Sequence, residues 1–194
     1  MTRAKSRADS GEMSALEAIR TRRVVRRYVD GKPISRATIR QLLEAARWAP
    51  SAGNRRLHKL VVVQDPDMIH QIRAVSPGMV GNPTTLIAIC TDTERAKLEG
   101  VRADRDPNTW IDAGAAAQNI MLAAHALGLG SCPLTSFSRG AIRTLLELPP
   151  FLVPELIVQL GHPAPVKPRV MRPGASTRLR IEDIAYWERY PIDG

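Results

Sequence analysis

The stretch RTRRVVRRY, residues 20–28, holds five arginines in nine positions, interrupted only by Thr21, Val24 and Val25 before Tyr28. Guanidinium groups at this density either grip an anion through forked hydrogen bonds or coat a surface. In an extended chain successive side chains alternate, so Arg22, Val24, Arg26 and Tyr28 share one face and Arg23, Val25 and Arg27 the other. Arg22 and Arg26 then stand roughly 14 Å apart along the backbone, within reach of one phosphate for two long side chains. On the cluster alone, a solvated basic surface is the plainer reading.

Two further stretches could meet a ligand. WAPSAGNRRLH, residues 48–58, sets Ser, Gly and Asn in a loop after a helix stop, offering backbone N–H groups and an amide. GLGSCPLTSF, residues 128–137, places glycines and a proline after an apolar helix, but it is neither a Walker loop nor a dinucleotide fingerprint. Hydrolytic chemistry has little support. His58, His70, His125 and His162 form no HExxH pattern, and Ser51 lies in no GxSxG elbow. His125, inside an apolar helix, reads as a packed or hydrogen-bonded histidine. No acid–base pair, nucleophile or metal set emerges, so if the protein is an enzyme a cofactor carries the chemistry.

The bulk composition fits that picture. The chain has 194 residues, 44% apolar, enough to bury one sizeable core. Net charge is +9, and 15 of the 28 Lys and Arg residues fall within the first 59 positions. A second basic cluster, Lys167, Arg169, Arg172, Arg178 and Arg180, lies near the end. Charge of this size gives weak affinity for polyanions, but no helix-turn-helix, RNA-binding sheet or zinc module accompanies it, so no specific nucleic acid is expected. Cys90 and Cys132 make no CxxC and read as reduced, buried thiols. The opening residues 1–12 are polar and basic with no apolar h-region, a tail rather than a signal peptide. No stretch is long enough for a membrane span, and a cytoplasmic protein is expected.

The elements that must position these groups follow from patterning. Ser14 and Glu17 form a capping box opening a helix with Leu16 and Ile19 on its inner face. Ser35 caps a second helix, on which Ile39, Leu42, Leu43 and Ala46 follow amphipathic spacing until Pro50. LVVV (60–63), TLIAICT (85–91) and ELIVQLG (155–161) read as buried strands. A short helix follows Asp67, carrying Met68, Ile69 and Ile72. The segment from Trp110 to Leu127 is a helix apolar nearly all round, stopped at Gly128. Another capped helix runs from Ser138 to about Leu146, and IEDIAYWERY is a short terminal helix or arm. Strands separated by helices make a mixed α/β sandwich whose strand directions the pattern leaves open.

Taken in order, these segments resemble the nitroreductase family of flavoenzymes. IRTRRVVRRY resembles its opening RRSVRxF motif, and LLEAARWAPSAGNRRLHKLVVVQD its APSxxNxQPWxFVVV segment. DAGAAAQNIMLAAHALGLGSC is similar to the central helix ending in GLG. LLELPPFLVPELIVQLGHPA resembles LGLP…VxLGYP, and RLRIEDIAYWERY resembles RxPLEEVVxxxRW. The resemblance spans residues from about 14 to 190. It implies an α+β, three-layer fold with a mainly antiparallel sheet between helices, in one domain over residues 13–194 whose C-terminal arm embraces the other subunit of an intertwined homodimer.

The resemblance also implies FMN at the subunit interface, with NADH or NADPH as donor and a nitroaromatic, quinone or similar small planar acceptor, reduced by a ping-pong mechanism. By motif match the phosphate meets Arg22, Arg23 and Arg26, with Arg178 or Arg180 returning to it, and Val24 lies between them along the cofactor. Pro50, Ser51, Asn54, Pro133, Leu134, Thr135 and Ser136 lie along the flavin. No residue of the chain is itself catalytic, and no metal is implied. The alternatives are a flavin-sequestering protein without turnover, or flavin fragmentation or reductive dehalogenation, which occur within the same superfamily. Three departures stand out: Val24 replaces a serine, Leu57 and His58 replace Pro and Trp, and Thr135 and Ser136 replace Glu and Gly. His58, with Arg55 and Arg56 beside it, becomes the candidate acceptor-side group, biased towards anionic acceptors or the phosphate of NADPH.

Overall fold

The computed structural model describes residues 13–165 and 180–190. Four strands form one sheet in the order β1-β2-β4-β3: β1 His58–Val63, β2 Thr85–Asp92, β3 Gly130–Leu134 and β4 Leu152–Gly161. Every pairing is antiparallel, which settles the strand directions. β2 is buried at every position because both its faces are covered, and that is why TLIAICTD reads as an unbroken apolar run rather than an alternation.

Helices cover both faces, giving three layers. On one face α2 (Arg36–Arg47) brings Ile39, Leu42 and Ala46, and α5 (Asn108–Ala126) brings Ala113, Ala116, Ala117, Ile120 and Ala124, against Ile87, Ile89, Val158 and Leu160. On the other, α3 (Pro66–Ala74) and α6 (Arg139–Leu145) set Ile69, Ile72 and Ile142 over Leu86, Ala88 and Ile157. Ser14, Ser35 and Ser138 accept N–H bonds from Glu17, Thr38 and Ala141, capping α1 (Ala15–Thr21), α2 and α6. α4 (Thr93–Leu98), capped by Asp92, is an addition to the sequence reading. The chain to Ala164 forms one compact unit and the segment from Pro165 another. In the latter, Ile181–Asp183 makes a single 3-10 turn.

Two expectations are corrected, and one stretch gains an element. GSCPL, to which the pattern assigns none, is a strand; as edge strand β3 it tolerates Pro133, whose missing N–H lies on the side away from β4 and costs no bond to it. Leu16 and Ile19 do not face inward: they are 65% and 56% exposed, and Ala18 is the buried residue of α1. The arginine segment is not evenly extended either. Tyr28 Oη donates to Val25 O at 2.7 Å, so Val25 and Tyr28, not alternate residues, turn inward, while Val24 stays exposed.

That inward turn needs two glycines. A Cβ at Gly130 would meet the Val25 side chain at 2.6 Å, and one at Gly161 would meet the Tyr28 ring at 2.7 Å. Gly161→Ala should therefore destabilise the protein by about 1–3 kcal/mol through overpacking, read as a lowered midpoint in denaturant unfolding.

Candidate functional site

The residues singled out in the sequence fall into two groups, at opposite edges of the sheet. The first gathers at β3. Val24 makes a parallel bridge to Ser131, and the Val25 N–H donates to Ser131 O at 2.9 Å. The arginine segment and the strand carrying Pro133 and Leu134 are thus held together by main-chain bonds. Just beyond the strand, Thr135 lines a cavity of about 260 Å³ with Trp110, Gly114, Arg139 and Glu155. Ser136 is tied elsewhere, its carbonyl accepting from the Gly78 N–H at 3.2 Å.

The arginines of this group have diverged. Arg23 folds back, its guanidinium donating to the carbonyls of Arg20 and Arg22 at 2.8 Å each. Arg26 lies beside the Cys132 thiol, where its charge partly offsets the burial that raises that thiol's pKa. Burial likewise pushes Cys90 up to about 12, so both free cysteines are inert thiols. Arg22 is half-buried. Its Nη1 is sealed from solvent and has no hydrogen-bond partner among the described residues. A buried guanidinium N–H without an acceptor is costly, and an anion at that spot would satisfy it. Arg178 lies outside the described residues. Arg180 donates to Asp183 at 3.2 Å, a bond that holds the Asp183 carboxyl below its ordinary range.

The second group sits at β1, on the other edge. Three strand spacings separate β1 from β3, about 14 Å. After α2, Pro50 leads into a 3-10 turn at Ala52–Asn54. This turn is closed on itself: the Asn54 N–H donates to Ser51 O, the Arg56 N–H to Ser51 Oγ and Arg56 Nε to Asn54 Oδ1. Gly53, Asn54 and Arg56 all take left-handed φ, easy for Gly and Asn but costing about 1 kcal/mol or more for Arg56. Those bonds hold it there. Arg55 is drawn away to Glu99 at 3.8 Å, leaving Arg56 as the exposed one of the two arginines near His58.

Sequence reasoning missed Asp112. It is buried on α5, and its carboxylate accepts the Ala52 N–H at 3.1 Å, pinning the turn to the helix. The DAG of the central helix was a visible signal, but only the fold shows what that acid holds. His58 lies near it as the first residue of β1, paired with Thr91. Burial lowers the His58 pKa; Asp112 opposes this, and Arg56 and Lys59 reinforce it. The histidine is thus neutral at pH 7 mainly through burial, with Arg55 not among the causes. Among the described residues no group of His, Cys, Asp or Glu could hold a metal, and no helix is long and apolar enough to cross a membrane.

An antiparallel sheet between two helical layers, with an arginine strand laid against one edge and a self-closed polar turn at the other, defines a class of α+β domain. The chain belongs to the nitroreductase family, whose model matches residues 19–77 and 70–162. A Methanothermobacter thermautotrophicus protein, provisionally named an NADH dehydrogenase/NAD(P)H nitroreductase, is 36% identical over 161 residues, 79% of each chain. The FMN reductase [NAD(P)H] of Bacillus subtilis is 28% identical, over 90% of this chain and 74% of its own. The crystal structure of a nitroreductase family protein from Clostridium difficile superposes with a TM-score of 0.75 at 25% identity, over 92% of this chain and all of the other.

His58 titration tests the second group. Its folded pKa is depressed, so the unfolded chain takes up the proton first as pH falls below about 6.5. Stability should therefore decline on acidification through that window, and the His58→Gln variant should lack this part of the slope. In a histidine NMR titration the His58 midpoint should lie below 6.5, and Asp112→Asn should move it lower still, because the opposing charge is gone.

Proposed function

We propose that the protein is an FMN-dependent oxidoreductase that uses NADH or NADPH to reduce a small planar acceptor such as a nitroaromatic or quinone. The observation that carries this is the arginine segment bonded to the β3 edge, with Arg22 Nη1 buried and unpartnered among the described residues. The fit is good at the anionic end: Arg22 offers a desolvated donor, and Arg26 follows on the same segment. Val24 offers no hydroxyl, which removes about 1 kcal/mol of phosphate binding relative to a serine there. From Arg22 the edge of β3 leads to Pro133, Leu134 and Thr135, suited to an elongated ligand with a phosphate at one end and a ring at the other.

Bound FMN supplies the two-electron chemistry, accepting from the nicotinamide and yielding to the acceptor. The chain's own part is to bind, orient and exclude water. Arg22 and Arg26 hold the phosphate, with Arg23 kept for the backbone carbonyls it already meets. Thr135 and the cavity it shares with Trp110 and Gly114 flank the ring. His58 and Arg56 face the acceptor, a neutral imidazole beside a cation, favouring anionic acceptors or the phosphate of NADPH. Arg55, paired with Glu99, contributes little there.

Within one chain the Pro50–His58 group is an edge away from the Arg22–Thr135 group, so a site using both takes one from each of two subunits. Leu16, Ile19, Trp110 and Ile111, exposed on α1 and α5, offer an apolar face for the second copy. A mixed homodimer tests this. Arg22→Ala and Asn54→Asp subunits should each bind FMN poorly alone, and together should regain one intact site per heterodimer. Failure to regain any would place both groups of a site in the same subunit.

Cofactor binding is tested by colour. The purified protein should be yellow, bleach with NADH or NADPH and recover on adding acceptor. Arg22→Ala with Arg26→Ala should lose several kcal/mol of FMN affinity, at about 1.5–3 kcal/mol per charge-assisted bond, and purify colourless. Yellow protein that neither donor bleaches would instead favour flavin sequestration.

A further inference from the structure

The arginine segment begins within the last turn of α1, and α1 is poorly anchored. It is seven residues long, and Ala18 is its one buried side chain. What ties its end down is a polar contact with the last turn of α5: Thr21 Oγ1 lies 2.8 Å from His125 Nε2. The same hydroxyl lies 2.6 Å from Glu17 O. A threonine hydroxyl has one hydrogen, and a carbonyl can only accept. The hydroxyl therefore donates to Glu17 and accepts from His125, which fixes the histidine proton on Nε2. One residue later comes Arg22, with its buried, unpartnered Nη1, and two after that the Val24 bridge to β3. Arg22 thus sits between two fixed points, the Thr21–His125 bond and the main-chain pairing to Ser131.

We propose that His125 is a positioning residue for anion binding: by donating Nε2–H to Thr21 it holds the end of α1 and so aims Arg22 at the phosphate of the bound flavin. This rests on the FMN reading above. His125 does not touch the ligand; it acts through the helix end. Only the phosphate subsite depends on the tether, since the segments proposed to flank the ring, β3 and Thr135, are held by the sheet.

The test compares FMN with riboflavin, which has the same ring and no phosphate, by quenching of flavin fluorescence on titration with the FMN-stripped full-length protein. Thr21→Val, which keeps the side-chain shape and removes the acceptor, and His125→Ala should each weaken FMN binding about tenfold, the worth of one hydrogen bond, and leave riboflavin affinity unchanged. The two substitutions combined should add little to either alone, because they break the same bond. His125→Gln, whose amide N–H can stand in for Nε2–H, should recover most of the FMN affinity. Equal losses for FMN and riboflavin, no loss for FMN in Thr21→Val, or a His125→Gln variant as weak as His125→Ala would each overturn the proposal. A wild-type protein that binds riboflavin and FMN equally would show that no phosphate subsite exists, and one that binds neither would remove the flavin reading itself.

Discussion

The packing of α5 on the sheet is the constraint from which the rest follows. Its inward face is largely alanine, so the helix backbone can approach Ile87, Val158 and Leu160 closely. A helix held that firmly is a rigid ruler. Near its start Asp112 grips the turn after Pro50, and in its last turn His125 grips the end of α1. The two anchors are thirteen residues apart, which at 1.5 Å per residue is about 20 Å. One helix therefore sets the position of both groups of candidate residues.

The dense arginine run resolves into separate jobs once these neighbours are in place. Arg23 satisfies the Arg20 and Arg22 carbonyls at the end of α1, where the helix supplies no further N–H partners. Arg26 lies beside a buried thiol, and Arg55, from the turn after α2, is spoken for by Glu99. Arg22 alone of these is partly desolvated with a nitrogen facing no acceptor among the described residues. Charge density told where an anion could bind; desolvation tells which guanidinium it would meet, because a buried donor gains far more from an anion than one already in water.

The distribution of apolar surface points the same way as the proposed split of the site between two subunits. α5 buries one face, while Trp110 and Ile111 near its start stay exposed, as do Leu16 and Ile19 on α1. Leaving large side chains in water forgoes about 25 cal/mol for each Å² that could be covered. A helix apolar all round is economical only if two surfaces cover it, and the sheet supplies one of them.

Much of this was legible in the residues. Helix caps at Ser14, Ser35 and Ser138, the continuous apolar strands and the order of five motifs all depend on local chemistry, so the α+β class and the family could be read from them. The arginine segment and the strand that carries Pro133 and Leu134 lie far apart in the sequence, and the structure joins them through Val24, Val25 and Ser131. What local chemistry could not reveal was decided by packing at long range. GSCPL, with its proline and glycine, carries no strand pattern; β4 beside it makes it an edge strand. Leu16 and Ile19 read as core because periodicity marks an apolar face without saying what meets it. Tyr28 turns inward because Gly161 leaves room, a pairing 133 residues apart in the chain. Asp112 carries no sequence signal of its own beyond the DAG it belongs to, and His125 reads as a packed or hydrogen-bonded histidine without saying what it bonds to. Their roles exist only because tertiary contacts bring Ala52 and Thr21 to them, from 60 and 104 positions away.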